Sequence, residues 1–162
     1  MTSSPPEIRL RPAEAGDVDL LLGWANDPVA RAVSFTTAPI PRADHVAWFE
    51  RALANPDRHL LIAMVEGVPV ATLRLDAGEG PGEAVISVNV GPESRGRGIG
   101  RGALEAATGE AARLGFARIV AWIRPENAAS LRAFEAAGYS KVSEGVLQGQ
   151  LALRYERAVV GS

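Results

Sequence analysis

Residues 84–102 read AVISVNVGPESRGRGIGRG, and this stretch decides how the whole chain is interpreted. Its β-branched first half predicts a strand that ends at Val90, and Gly91-Pro92 predicts a turn after it. Arginines and alternating glycines follow, and a helical pattern then begins at Ile99. Free N–H groups at the start of a helix attract anions, and glycine lets the backbone approach a ligand closely. The stretch therefore predicts an anion-binding loop between a strand and a helix.

Two common phosphate-binding loops fit this stretch poorly. A P-loop requires G-x-x-x-x-G-K-[ST], and the only lysine of the chain is Lys141. A dinucleotide fingerprint, G-x-G-x-x-G/A, matches Gly98, Gly100 and Ala103, but residues 91–97 separate the strand from the first glycine. Too few residues follow to complete a dinucleotide fold. A third reading, in which the glycines form only a tight turn, stays open on sequence grounds.

Hydrophobic periodicity and turn residues divide the rest of the chain into alternating elements. We predict strands at 7–11, 59–65, 70–75, 83–90, 117–123, 139–146 and 151–159, helices at 17–24, 42–53, 99–114 and 127–137, and a short irregular or helical piece at 29–35. This order predicts an α/β (α+β layered) fold with a mixed, mainly antiparallel sheet of six to seven strands and about four helices. We expect a loose tail at residues 1–6 and a single domain over 7–162.

Composition narrows the classes of function. The net charge of −2 gives no electrostatic reason to expect nucleic acid or a membrane surface as partner. The chain has no cysteine and two histidines, so we expect no disulfide, no thiolate chemistry and no metal. The longest apolar run, residues 60–65, is too short to span a bilayer, and the first residues lack the pattern of a signal peptide. We therefore expect a cytoplasmic protein.

Two motifs carry a resemblance to a known family. The first is Arg95-x-x-Gly98-x-Gly100, and the second is the segment 127–139, NAASLRAFEAAGY. Together they resemble the fingerprints of the GNAT superfamily of acetyl-CoA-dependent N-acetyltransferases, in the family's order and at roughly its spacing. The resemblance covers residues 7–159 and implies the GNAT fold and acetyl-CoA as co-substrate.

The resemblance also implies where the co-substrate binds. Pantetheine would lie along the strand that ends at Val90, and the pyrophosphate would lie on the N–H groups of the glycine loop. Asn127 would contact the pantetheine arm, with Ser130 one helical turn away. The implied cofactor-binding residues are Val88, Val90, Arg95, Gly96, Arg97, Gly98, Ile99, Gly100, Arg101, Asn127 and Ser130.

The implied chemistry is direct attack of a neutral amine on the thioester, with a backbone N–H near Val88 or Val90 stabilising the oxyanion. Many family members place an acidic tyrosine at the position that is Phe134 here, and we expect Tyr139 to pack in the core. Glu83 and Asn89 are the candidate catalytic residues, because alternate positions of one strand share a face. Glu83 would act as a base through water, or that face is simply solvated.

The N-terminal third suggests the acceptor. Its pattern of W-x-N-D, then arginine, then H-x-x-W-F resembles a GNAT branch that includes acetyltransferases for 4-amino nucleotide sugars and is similar to ribosomal-protein N-terminal acetyltransferases. The implied substrate residues are Trp24, Asn26, Arg31, His45 and Trp48, although the aromatic residues could simply pack two helices together. Arg31 would meet a nucleotide phosphate or pair with Asp27.

These residues favour a small-molecule amine as acceptor, with a 4-amino nucleotide sugar first among the candidates. A protein N-terminal acetyltransferase and a non-catalytic acyl-CoA-binding module are the alternatives, and a homodimer is left open.

Overall fold

The computed structural model describes residues 7–159, which fold around one seven-stranded sheet. The strands are β1 (Arg9–Pro12), β2 (Arg58–Val65), β3 (Val68–Ala77), β4 (Glu83–Val90), β5 (Arg118–Ile123), β6 (Ser140–Leu147) and β7 (Gln150–Ala158). The α-helices are α1 (Val18–Ala25), α2 (Pro28–Ala32), α3 (Arg42–Ala54), α4 (Ile99–Arg113) and α5 (Ala128–Ala136).

The strand order is β1-β2-β3-β4-β5-β7-β6, and every neighbouring pair is antiparallel except β4 and β5. The parallel pair is short. It joins residues 83–85 of β4 to residues 118–120 of β5, and the two strands are unpaired beyond that point. The sheet therefore opens between β4 and β5, and one edge of β4 is left free over residues 86–90.

The two faces of the sheet are packed differently. On one face, α4 buries Ile99 and Leu104 against Leu73 and Ile86, with alanines along the helix allowing close approach. On the other face, α1 and α3 bury a smaller cluster around Phe49, and the strand residues of that cluster include Leu60 and Ile62. Since side chains alternate along a strand, residues at 72, 74, 87 and 89 lie on the α1–α3 face.

The predicted fold is confirmed. β4 has the predicted bounds, and the other strands and helices differ from prediction by a residue or two at their ends. Residues 7–159 contain five α-helices where about four were predicted for the chain, because residues 28–32 form the helix α2 within the piece predicted as irregular or helical. The predicted tail, 1–6, lies outside the described residues. None of the helices within residues 7–159 is long and apolar enough to cross a membrane.

Candidate active site

A cleft of about 1180 Å³ lies along the end of β4 whose edge is free. One end is formed by the glycine loop and the first turns of α4 and α5. The other end is formed by α2, α3 and the loop over residues 33–40, with β3 and β4 between the two ends. We refer to the first end, together with the free backbone edge of β4, as the cofactor half. The second end, together with the β3 and β4 side chains on the α1–α3 face, is the acceptor half.

The free edge of β4 presents backbone polar groups to the cofactor half. The N–H of Gly91 donates to the carbonyl of Val70 at 2.8 Å. Because backbone groups alternate in direction along a strand, Asn89 is turned toward β3, while Val88 and Val90 are turned toward the gap. Both valines line the cleft. Their N–H and C=O groups are therefore placed to pair with an extended ligand, as an added strand would.

The glycine loop forms the next part of the wall. Gly96 and Gly98 have φ values of 77° and 73°, a left-handed conformation that other residues rarely adopt. The first hydrogen bond of α4 runs from Gly102 N–H to the Gly98 carbonyl at 3.1 Å, so the N–H groups of residues 99–101 have no partner within the helix. Free N–H groups and the positive end of the α4 dipole favour a phosphate at this point.

The start of α5 completes the cofactor half. Asn127 caps this helix, since its Oδ1 accepts the N–H of Ser130 at 3.2 Å. The cap occupies one polar atom of the side chain, and the amide nitrogen remains a donor. Asn127 and Ser130 both line the cleft. The cap and the predicted ligand contact are therefore compatible.

Of the predicted cofactor residues, ten line the cleft: Val88, Val90, Arg95, Gly96, Gly98, Ile99, Gly100, Arg101, Asn127 and Ser130. Arg97 is exposed and does not line it. Arg101 pairs with Glu105 at 3.0 Å. Arg95 pairs with Asp27 at 2.5 Å, and this hydrogen bond holds the pKa of the Asp27 carboxyl below its ordinary value. The predicted pairing of Asp27 with Arg31 is therefore corrected, because Arg95 takes that carboxylate.

The structure brings three of the five predicted substrate residues to the cleft, namely Arg31, His45 and Trp48. His45 is buried, and its Nε2 lies 3.0 Å from the carbonyl oxygen of Val18. That oxygen can only accept, so Nε2 carries a hydrogen and Nδ1 is an acceptor in the neutral ring.

Trp24 and Asn26 lie behind the cleft wall instead. The ring of Trp24 packs against the backbone of Gly91, where an added Cβ would come within 2.9 Å of it. Asn26 donates to the carbonyl of Ile40 at 2.9 Å and accepts its N–H at 2.7 Å. These two residues hold the loop and strand that form the wall, which corrects the expectation that they line the substrate site.

Asn89 lines the cleft on the acceptor side of β4, but Glu83 does not. Glu83 and Asn89 lie six positions apart on an extended strand, a distance of about 20 Å. The Oε1 of Glu83 accepts from Arg118 at 3.1 Å and from Arg154 at 3.0 Å. Burial raises the pKa of this carboxyl, but hydrogen bonds from Arg118 and Gly80, together with the positive charges of Arg154 and Arg118, outweigh burial, so the pKa is lowered. The expectation that Glu83 shares a site with Asn89 is therefore corrected.

The two aromatic residues near the predicted acid position lie in the core. Phe134 is 2% exposed and meets Tyr139 edge to face, with ring centroids 4.9 Å apart. Burial raises the pKa of the Tyr139 hydroxyl, which has no hydrogen-bond partner among the described residues. Neither residue lines the cleft, so neither offers a proton to it.

Three residues that shape the acceptor half were not among the predicted site residues. Arg124 donates to the carbonyls of Ala32 at 3.1 Å and Ser34 at 2.8 Å, and so fixes the loop after α2. Thr36 in the same loop donates to Gln148 in the β6–β7 turn at 2.6 Å. Arg74 lines the cleft from β3. Of the three, only Arg74 could have been found from the sequence. It belongs to a set of polar residues that alternate with leucines along β3, and such residues share one face of the sheet.

The comparisons with known proteins agree with this architecture. The family model described as the acetyltransferase (GNAT) domain matches residues 7–140. No sequence among the curated proteins matches the chain.

Solved structures are similar over nearly the whole chain. The aminoglycoside acetyltransferase AAC(6′)-Ib with ribostamycin and coenzyme A is 20% identical, covers 94% of this chain and 93% of its own, and has a TM-score of 0.83. A putative phosphinothricin N-acetyltransferase is 26% identical, with coverages of 94% and 99% and a TM-score of 0.77. The spermidine N-acetyltransferase of Vibrio cholerae, with CoA and spermine, is 15% identical, with coverages of 94% and 96% and a TM-score of 0.83.

These structures share the overall fold of this chain. The family model matches most of the sequence. On that match, the chain belongs to the GNAT family of acetyltransferases.

Proposed function

We propose that this protein transfers the acetyl group of acetyl-CoA to a primary amine of a small molecule. The observation that carries the proposal is the free edge of β4. The backbone N–H and C=O groups of Val88 and Val90 face the cleft, and the glycine loop that follows β4 lines the same cleft. An extended chain with amides followed by a pyrophosphate fits this succession of groups.

The residues of the cofactor half fit acetyl-CoA in three ways. The strand edge is matched to the amides of pantetheine. The N–H groups of residues 99–101 and the helix dipole are matched to the pyrophosphate. Gly96 and Gly98 leave open space, since an added Cβ at either would meet no atom within 4 Å among the described residues.

The chemistry that follows is direct transfer. The amine nitrogen attacks the thioester carbonyl carbon, a C–N bond forms, and the C–S electrons leave with the sulfur as CoA thiolate. We expect the N–H of Val88 or Val90 to stabilise the oxyanion of the tetrahedral intermediate. The amine proton passes to water in the open cleft. A thiol with a pKa of about 8.5 leaves as thiolate without an acid, which is consistent with Phe134 at the usual acid position.

For the acceptor, a 4-amino nucleotide sugar remains the first candidate, with Arg31 near its phosphates. The hydrogen bond between Thr36 and Gln148 ties the loop over residues 33–40 to the β6–β7 turn. A cleft whose loop is held in this way favours a small molecule over the extended peptide of a protein N-terminal acetyltransferase.

The test combines acetyl-CoA binding with release of free thiol across a panel of amines. Acetylation of a small amine supports the proposal, acetylation of peptides alone would favour the protein-modifying alternative, and binding without any turnover would favour a non-catalytic module. Gly98→Asp places a carboxylate beside the proposed pyrophosphate, whereas Gly98→Asn has nearly the same shape and tolerates the left-handed conformation. We expect acetyl-CoA to bind at least about tenfold more weakly to the Asp variant than to the Asn variant. Equal affinities would refute the placement.

A further inference from the structure

The cleft carries an excess of positive charge. Among the described residues, Asp44 is the only carboxylate that lines it, and this side chain is exposed. Six arginines line it: Arg31, Arg51, Arg74, Arg95, Arg101 and Arg132. Three of them, Arg31, Arg51 and Arg74, belong to the acceptor half, away from the glycine loop. A phosphate at the start of α4 does not account for those three.

Arg74 is the most informative of these arginines. It projects from β3 directly opposite Ser87, and its guanidinium lies 5.6 Å from the ring centre of Trp48. It makes no hydrogen bond to any described residue, and its only ion-pair contact is 3.3 Å to Asp76. Asp76 also accepts a hydrogen bond from Arg58 at 2.9 Å. One carboxylate therefore serves two guanidinium groups, which leaves a surplus positive charge on this face.

Arg31 is uncompensated in a similar way. Its Nε is buried and has no partner among the described residues, and no described carboxylate lies within ion-pair distance. Its one hydrogen bond runs to the carbonyl of Ala38 at 3.2 Å. Burial lowers the pKa of this guanidinium, and burial likewise lowers that of Arg74.

A half-buried guanidinium whose N–H groups lack most of their hydrogen-bond partners is unfavourable, because the water it has lost is not replaced by enough protein acceptors. The loss is recovered if a ligand supplies an oxyanion, which guanidinium binds with paired N–H groups. A cationic acceptor would be repelled by the same surplus charge. We infer that the acceptor amine carries an oxyanion, a carboxylate or a phosphate, which binds Arg74 in the acceptor half, where Arg31 adds further positive charge. This inference rests on the acetyltransferase function proposed above.

Direct anion binding tests the inference without turnover. The protein is saturated with CoA to fill the phosphate sites of the cofactor half, and inorganic phosphate or acetate is titrated while tryptophan fluorescence is recorded. Trp48 should report binding at Arg74, and a Trp48→Phe variant assigns the signal. We expect saturable binding at millimolar concentration, at least about tenfold weaker in Arg74→Gln. Arg58→Gln is the matched control, because Arg58 shares Asp76 but does not line the cleft. No saturable binding, or equal loss in both variants, would overturn the inference.

Paired acceptors test it in turnover and separate the two sources of oxyanion. An amino acid is compared with its amide, and an amino nucleotide sugar is compared with the free amino sugar. We expect the anionic member of one pair to have a kcat/KM at least about tenfold higher, and Arg74→Gln to remove about 10- to 100-fold of it without changing the KM for acetyl-CoA.

Two results would contradict the inference while leaving acetyl transfer intact. One is equal or better use of spermidine or an aminoglycoside. The other is an Arg74→Gln effect that falls on the KM for acetyl-CoA. Failure to acetylate any amine would instead contradict the proposed function, and the phosphate titration would still decide whether the anion site exists.

Discussion

The two halves of the cleft differ in whether backbone groups or side chains line them. The cofactor half consists mainly of backbone, from the unpaired edge of β4 through the glycine loop to the first turn of α4. The acceptor half consists mainly of side chains, such as Trp48 and Arg74, supplied by separate elements. A backbone site depends on local conformation and on where Cβ atoms are missing. A side-chain site depends on which distant elements meet.

The largest effect should follow from filling the tight contact at Gly100, which lines the cofactor half. An added Cβ at Gly100 would lie 3.3 Å from Cβ of Ala133 and 3.6 Å from Cγ2 of Val90. Gly100→Val adds two further methyl groups there, which must push α4 away from α5 and β4. We expect a loss of about 1–3 kcal/mol in the free energy of unfolding. Acetyl-CoA affinity, measured by calorimetry, should fall about 100-fold, because the N–H groups of residues 99–101 are displaced.

Gly109→Val is the control for this substitution. Gly109 lies in the same helix, and an added Cβ there would meet no described atom within 4 Å. Its affinity for acetyl-CoA should match the wild type. If both variants bind equally well, the start of α4 is not the pyrophosphate site.

The next effect separates two tryptophans that the sequence treats alike. Trp24 packs against Gly91 behind the wall, whereas Trp48 lines the cleft under Arg74. We expect Trp24→Ala to lower the free energy of unfolding by about 2–4 kcal/mol, with little change in the KM of the acceptor. Trp48→Ala should do the reverse and raise that KM about tenfold, since it removes the ring beneath Arg74. Denaturant unfolding and steady-state kinetics on both variants decide this, and similar profiles would contradict it.

A smaller effect is expected at Glu83. Glu83→Gln keeps the shape but removes the charge that holds Arg118 and Arg154, and we expect a loss of about 1.5–3 kcal/mol in the free energy of unfolding. The folded pKa of Glu83 is lowered from 4.5, so its contribution is present above that pH and is lost as the pH falls through the folded pKa. The free energy of unfolding of the variant should therefore fall less steeply than that of the wild type as the pH is lowered, which denaturant unfolding at several pH values measures. A large fall in kcat with unchanged stability would instead restore Glu83 as a base.

The same contrast explains what the sequence could predict. The loop at 95–101 and Asn127 were recognisable because a left-handed backbone selects glycine and a helix cap selects asparagine, at fixed spacing. Ten of the eleven cofactor residues that the resemblance to the family's motifs implied line the cleft. Arg97 carries the same charge as Arg95 and Arg101, and it differs from them only in that its side chain points away from the cleft.

No comparable rule links residue type to position in the acceptor half. Trp24 and Trp48 look equivalent in a helical pattern, and only the packing of α1 and α3 on the sheet puts one behind the wall and the other in it. Arg124 and Gln148 meet the loop after α2 across 90 or more residues of sequence. Glu83 shares a face with Asn89, as predicted, but the length of the strand separates them.

The smallest effect concerns Asp27 and Arg95, the pair that joins the two halves. Asp27 also caps α2, accepting the N–H of Ala30 at 3.1 Å, and asparagine caps a helix about as well. Asp27→Asn should therefore preserve α2 while removing a carboxylate near the proposed pyrophosphate and freeing Arg95. We expect acetyl-CoA to bind about 2- to 5-fold more tightly, with the gain shrinking as salt is added. Acceptor kcat/KM should fall, because the wall that carries Arg31 loses its tie to the cofactor loop.

Asp19→Asn is the control, because it removes the same charge from an exposed position that pairs with Arg42 outside the cleft. It should leave both constants unchanged. Weaker acetyl-CoA binding in Asp27→Asn would mean that the pair positions Arg95 for the phosphate rather than competing with it. The two halves would then be built as one unit, with a carboxylate of the acceptor half orienting a cation of the cofactor half.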